Sequence, residues 1–119
     1  MADVMAYVDD IFFRAKITET ARQLGVGVHT CANTHALEAE LAANKPGLIV
    51  IDLEASADPL GAVAVASREA QDVPMVAFLS HVQTELAERA RAAGCKEVMP
   101  RSKFTRDLAT ILARAKSQP

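Results

Sequence analysis

A chain of 119 residues can close one hydrophobic core and is too short for two. Its net charge of −2 excludes a general binder of nucleic acid or of an anionic membrane surface, which needs a basic excess. No apolar stretch approaches the ~20 residues that span a bilayer.

Asp3, Asp9 and Asp10 interrupt any apolar leader at the N-terminus. Cys31 and Cys95 make no disulfide framework, and they read as reduced thiols of a cytoplasmic protein. Val4–Val8 reads as a buried strand. Phe13, Ile17, Ala21 and Leu24 then recur at three- and four-residue steps, one face of a helix that Gly25 stops. Val26–Thr30 is a weaker strand. Leu37 and Leu41 mark a short helix that starts at Asn33 or Thr34 and ends before Pro46. The run GLIVIDL (47–53) is the most continuous apolar stretch and suits a central parallel strand covered on both faces. Asp58 and Pro59 read as a cap and first residue of the next helix, whose pattern Gly61 weakens. VPMVAFLS (73–80) is a further buried strand, and Leu86, Ala90 and Ala93 carry a helix to Gly94. Glu97–Met99 is a short strand, and Leu108, Ile111, Leu112 and Ala115 close the chain as a helix before a fraying AKSQP tail. A five-fold alternation of strand and helix implies an α/β domain: a parallel sheet with right-handed crossovers and helices on both faces.

In open α/β sheets ligands bind beyond the carboxyl ends of the strands. There the chain offers Asp9-Asp10 after the first strand, Asp52 after the third, Ser80-His81 after the fourth, and Arg101-Ser102-Lys103 after the fifth. A lone strand-end aspartate is usually a cap or a solvated turn residue. Three carboxylates, a hydroxyl and a cation on one rim are instead the parts of a hard-metal and phosphoryl site. Asp9, Asp10 and Asp52 can give oxygens to Mg²⁺, which relieves the repulsion within the Asp9-Asp10 pair. A carboxylate beside that ion can attack a phosphoryl group and form an acyl phosphate.

With these residues the chain resembles, over essentially its whole length, the receiver domain of bacterial two-component response regulators. VDDIFFR looks like the family's acidic pair, LIVIDL like its acceptor strand, VAFLS like the strand ending in its switch hydroxyl, and AGCKEVMPRSKF like its Lys-Pro-Phe segment. The resemblance implies a single receiver domain over residues 1–119, with the three-layer flavodoxin-like fold: five parallel strands in the order 2-1-3-4-5, flanked by five helices. It implies Asp52 as phosphoacceptor, Ser80 as switch residue, and Mg²⁺ held by Asp9, Asp10, Asp52 and the backbone carbonyl of Glu54, whose side chain faces the phosphoryl group. Counting from Gly94 puts Arg101 at the family's lysine position. The interval to Phe104 is one residue longer than usual, so Lys103 is the alternative cation. The loop EASADPLG and Val98, at the family's aromatic position, depart from the pattern.

The resemblance further implies a non-enzymatic phosphoprotein of a phosphorelay, stand-alone or excised from a longer chain. Its partners would be a sensor histidine kinase or phosphotransfer protein and a downstream protein target, with no direct nucleic acid and no membrane. The contact surface would comprise about Gln83–Ala93, Glu97–Met99 and Thr105–Lys116. A pseudo-receiver, a phosphorylation-independent interaction module, is the alternative, motivated by Arg101 and Val98. A small flavodoxin-like enzyme is disfavoured, because no glycine-rich phosphate loop or base–nucleophile pair is present. His29, Cys31 and His35 match no zinc spacing and read as structural or surface residues. His81 reads as a loop residue bordering the site, and Arg89 and Arg91 as solvated faces.

Overall fold

The computed structural model describes residues 2–80 and 83–116. Five strands, β1 (Val4–Tyr7), β2 (Val28–Cys31), β3 (Leu48–Asp52), β4 (Met75–Leu79) and β5 (Glu97–Pro100), form one parallel sheet in the order β2-β1-β3-β4-β5. Between and after them run α1 (Ile11–Leu24), α2 (Thr34–Ala43), α3 (Pro59–Glu69), α4 (Thr84–Ala93), α5 (Arg101–Arg106) and α6 (Leu108–Ala113), closed by a 3-10 turn at Arg114–Lys116. The expected order of the strands is the observed one.

The side-chain period of two along each strand sorts the apolar residues onto two faces. Val4, Ala6, Leu48, Val50, Val76 and Phe78 pack against Phe13, Ile17 and Ala21 of α1 and against Leu108, Ile111 and Leu112 of α6. Met5, Tyr7, Ile49, Ile51, Ala77 and Leu79 pack against Leu37 and Leu41 of α2, Ala62, Val63 and Ala66 of α3, and Ala90 of α4. The domain therefore has three layers. Every residue of β3 is buried, as a central strand covered twice requires.

Local chemistry sets the boundaries. Gly25 adopts the left-handed conformation at φ 71°, which a residue with a Cβ adopts only with strain. The Val26 N–H then bonds the Ala21 carbonyl, closing a Schellman turn. That turn consumes Val26, so β2 starts two residues later than the apolar pattern suggests, and Leu24 is left half-exposed. Asp58 caps α3 through the Gly61 N–H, with Pro59 in the first turn. Gly61 belongs there because a Cβ would strike the Asp58 carboxylate.

The end of the chain differs from expectation. Helix begins at Arg101 with no intervening loop, and it is interrupted at Asp107 (φ −101°, ψ 15°), so the described residues hold six α-helices where five were expected. Ala115 is buried against the α6 side of the sheet, so the core continues into the first residue of the expected tail. At the β2 edge the Cys31 thiol is buried against the Met5 sulfur at 3.6 Å, and burial pushes its pKa up to about 11. His29 lies at the surface, 3.5 Å from Glu40.

Candidate functional site

Asp52 ends β3 and is the one buried charged residue among those described. Parallel pairing puts it opposite Phe78, and the chain leaves β4 after Leu79 to reach Ser80. Leu79 is in turn opposite Pro100 at the end of β5, so Arg101 opens α5 beside the same rim. Three strand ends thus deliver a carboxylate, a hydroxyl and a guanidinium to one place.

The contacts there are specific. Asp52 Oδ1 accepts from the Glu54 N–H at 2.9 Å, an Asx turn that fixes the carboxylate. Its Oδ2 faces Arg101 Nη2 at 3.4 Å. Arg101 Nη2 also stands 4.0 Å from Glu54 Oε1. Glu54 in turn accepts from the Ser80 N–H and the Ser80 hydroxyl, each at 3.0 Å. Burial pushes the Asp52 carboxyl above its ordinary range; the Glu54 amide and Arg101 pull it down, and the charges of Glu54 and Asp9 push it up again.

The sequence left Arg101 and Lys103 as alternatives. The structure puts Arg101 against Asp52, whereas Lys103 turns to Asp107 at 2.9 Å, one helical turn further on. It also reveals a support that pattern reading missed. The guanidinium carbon of Arg101 lies 5.0 Å from the ring centre of Phe13 and 5.2 Å from that of Phe78. Phe104 stacks on Phe78 with centroids 4.3 Å apart. A planar cation over aromatic faces is held in direction as well as in charge. The hint available in the sequence was Phe104, one helical turn after Arg101; the other two rings come from distant segments.

The acidic pair divides. Asp9 Oδ2 accepts from the Ser56 N–H at 2.8 Å, and that bond lowers its pKa. Asp10 caps α1, its Oδ1 accepting from the amides of Phe12 and Phe13 at 2.9 and 3.1 Å. Among the described residues no group of three His, Cys, Asp or Glu side chains converges as a metal site. The expected ligands, Asp9, Asp10, Asp52 and the Glu54 carbonyl, are oxygen donors of the kind a hard cation takes, with Asp10 also serving as the cap through Oδ1. Mg²⁺ commonly takes one or two carboxylates and fills its octahedron with water. The charge of Asp9 that raises the Asp52 pKa is a repulsion such an ion would relieve. Val98 lines a groove of about 240 Å³ between α4 and β5, with Ser80, Leu79, Thr84, Ala87 and Pro100. His81 lies outside the described residues.

No family model and no curated relative matches the chain. Solved structures do. The receiver domain of NtrX from Brucella abortus superposes with a TM-score of 0.81 at 17% identity, covering 98% of this chain and all of that one. The fold is the response-regulator receiver fold. A response regulator from Burkholderia pseudomallei, solved with a phosphorylated aspartic acid, a calcium ion and citrate, has the same TM-score at 15% identity, over 98% of this chain and 70% of its own. Against the longer NtrX chain in complex with ADP, the receiver fold spans 27% of the length. Identities this low establish a shared architecture; the roles of the residues must be argued from the rim itself.

Proposed function

We propose that residues 1–119 form a phosphoacceptor receiver domain of a two-component phosphorelay, which takes a phosphoryl group on Asp52 and switches protein–protein contacts. One observation carries the reading: a buried carboxylate at the end of the central strand faces a fixed guanidinium and lies on the same rim as a hydroxyl. A carboxylate kept partly dry is more basic and a better nucleophile. In the transfer, one Asp52 oxygen forms a bond to phosphorus while the bond from phosphorus to the donor breaks. The leaving group, a phosphohistidine nitrogen of a kinase or phosphotransfer protein, keeps the electron pair. Arg101 neutralises charge on the phosphoryl oxygens, and the Ser80 hydroxyl donates to one of them. Mg²⁺, held by Asp9, Asp52 and the Glu54 carbonyl, would supply further neutralising charge when bound, with Asp10 retained as the helix cap.

The product differs from the resting state by a large negative charge at the end of β3, beside Ser80. Ser80 also lines the α4–β5 groove, so a change in its bonding reaches the proposed contact surface for a downstream protein. The role is signalling rather than turnover. Among the described residues no helix is long and apolar enough to cross a membrane, and the setting we propose is the cytoplasm. Arg101 favours a second reading, a phosphorylation-independent interaction module. A bulky guanidinium already paired with Asp52 satisfies the acceptor without chemistry.

Intact mass after incubation with Mg²⁺ and acetyl phosphate decides between them. The first reading expects a gain of about 80 Da on Asp52, one phosphoryl group, that Asp52→Asn abolishes. An unmodified protein whose amide resonances around Asp52 and Ser80 also ignore beryllofluoride would establish the second.

A further inference from the structure

The groups that would bind a phosphoryl on Asp52 already hold an anion, and that anion belongs to the chain itself. The Ser80 N–H donates to Glu54 Oε1 at 3.0 Å, and the Ser80 hydroxyl lies 3.0 Å from both Glu54 oxygens. Arg101 stands between Glu54 and Asp52, at 4.0 and 3.4 Å. An amide and a hydroxyl donating to one carboxylate, with a guanidinium at ion-pair distance between it and Asp52, make a small oxyanion-binding slot.

We propose that Glu54 is a built-in competitor: its carboxylate fills the phosphoryl slot of the resting domain and ties Ser80 to the loop after β3. The proposal rests on the phosphoacceptor reading for what displaces the tie, but the tie itself stands on geometry alone. A phosphoryl on Asp52 carries a charge of about −1.5 to −2 and needs the same three donors. It cannot share them with Glu54, because the two anions would repel across a few ångströms in a partly dry site. The Glu54 side chain is 28% exposed, so it can turn to water once displaced and regain its hydration. Phosphorylation then does two things in one step. It hands Ser80 from one anion to another, and it expels a charged side chain from the rim. Glu54 thereby sets the threshold at which the domain responds.

The test compares the native protein with Glu54→Ala and Glu54→Gln, with Asp52→Asn as the control for acceptor identity. The first readout needs no phosphorylation: hydrogen exchange at the Ser80 amide. Loss of its charged acceptor in Glu54→Ala should speed exchange by about tenfold, the equivalent of one charge-assisted hydrogen bond, with no change at amides elsewhere in β4. The second is the initial rate of modification by acetyl phosphate. There the bond from Asp52 to phosphorus forms, the bond from phosphorus to the acetyl oxygen breaks, and acetate leaves with the electron pair. Removing the competitor should raise that rate several-fold in Glu54→Ala, and less in Glu54→Gln, which keeps an acceptor oxygen. Unchanged exchange at Ser80, or a slower modification in Glu54→Ala, overturns the proposal. If no variant is modified while Ser80 exchange accelerates, the phosphoacceptor reading fails and the tie stands as a fixed link between the two loops.

Discussion

At the scale of single residues, Asp52 and Asp9 are carboxylates on one rim whose pKa values shift in opposite directions. Burial is the largest influence on Asp52 and raises its pKa, whereas the Ser56 amide is the largest on Asp9 and lowers it. A raised pKa means that the folded state binds the Asp52 proton more tightly than the unfolded chain does. Stability from this group is therefore lost as pH rises through its folded value, and the penalty stays in place above it. Asp9 works the other way: its contribution is present above the ordinary carboxylate range and fades as pH falls through its depressed value. Replacing Asp52 by Asn should thus raise the melting temperature at pH 7, with the advantage shrinking toward zero below about pH 4, where the aspartate is neutral in both states. The lost pairing with Arg101 offsets this only weakly, since that side chain is 35% exposed. A melting temperature for Asp52→Asn at or below that of the native protein at pH 7 would show that Arg101 outweighs burial. The same guanidinium allows a kinetic comparison. Arg101→Ala should slow modification by acetyl phosphate about tenfold or more, the value of a hydrogen bond from a charged donor. Arg101→Lys should recover part of the rate, because it restores the charge without the planar fork. Lys103→Ala should leave the rate unchanged, since its partner is Asp107.

At the scale of elements, the N-terminus of α1 decides what the acidic pair can do. Asp10 holds two backbone amides that have no helical partner, both through Oδ1, so that oxygen is committed locally. Asp10→Ala should cost about 1 kcal/mol by urea denaturation, as the loss of a capping side chain does, and Asp10→Asn much less. The sequence reading put both aspartates on a metal, and spacing alone does not tell a ligand from a cap; the structure adds that Asp10 Oδ1 caps the helix. Elsewhere the elements were legible wherever one physical signal dominated. The unbroken apolar run of β3, the Gly25 stop and the Asp58-Pro59 start each have a local cause, and each is where it was expected. The choice between Arg101 and Lys103 was not legible, because it depends on where helix begins. With helix running from Arg101, residues two apart point to opposite sides, since each position turns by about 100°. Arg101 then faces Asp52 and Lys103 faces away. In α4 the patterned residues Leu86, Ala90 and Ala93 all face the core, with Ala90 fully buried and Leu86 and Ala93 partly so.

At the scale of the whole molecule, the rim is assembled by contacts that no window of sequence contains. Arg101 reaches the site on a platform of Phe13 from α1 and Phe78 from β4, and Phe104 ties that platform to the core beneath the sheet. The parallel sheet could be inferred from the alternation and the strand order from the family resemblance, but this aromatic bridge joins segments 65 residues apart and leaves no periodic trace. Its consequence is that the charge balance of the rim is coupled to the stability of the entire fold, and a bound cation should report through global unfolding. The charge of Asp9 raises the Asp52 pKa, and Mg²⁺ that binds the folded state at this rim stabilises it by RT ln(1 + [L]/Kd). At ten times Kd that is about 1.4 kcal/mol, which moves the melting temperature of a domain of this size by roughly 3–8 °C. The upward shift in millimolar Mg²⁺ should largely disappear in Asp9→Asn and survive in Asp10→Asn, because only Asp9 shares its charge with the acceptor. A shift of equal size in both variants would mean that the ion acts through general screening. A shift lost in Asp10→Asn alone would mean that the cap lets go of the helix to hold the metal. The expected order, with Asp9 as ligand and Asp10 as cap, follows from the Ser56 amide on one carboxylate and the Phe12 and Phe13 amides on the other.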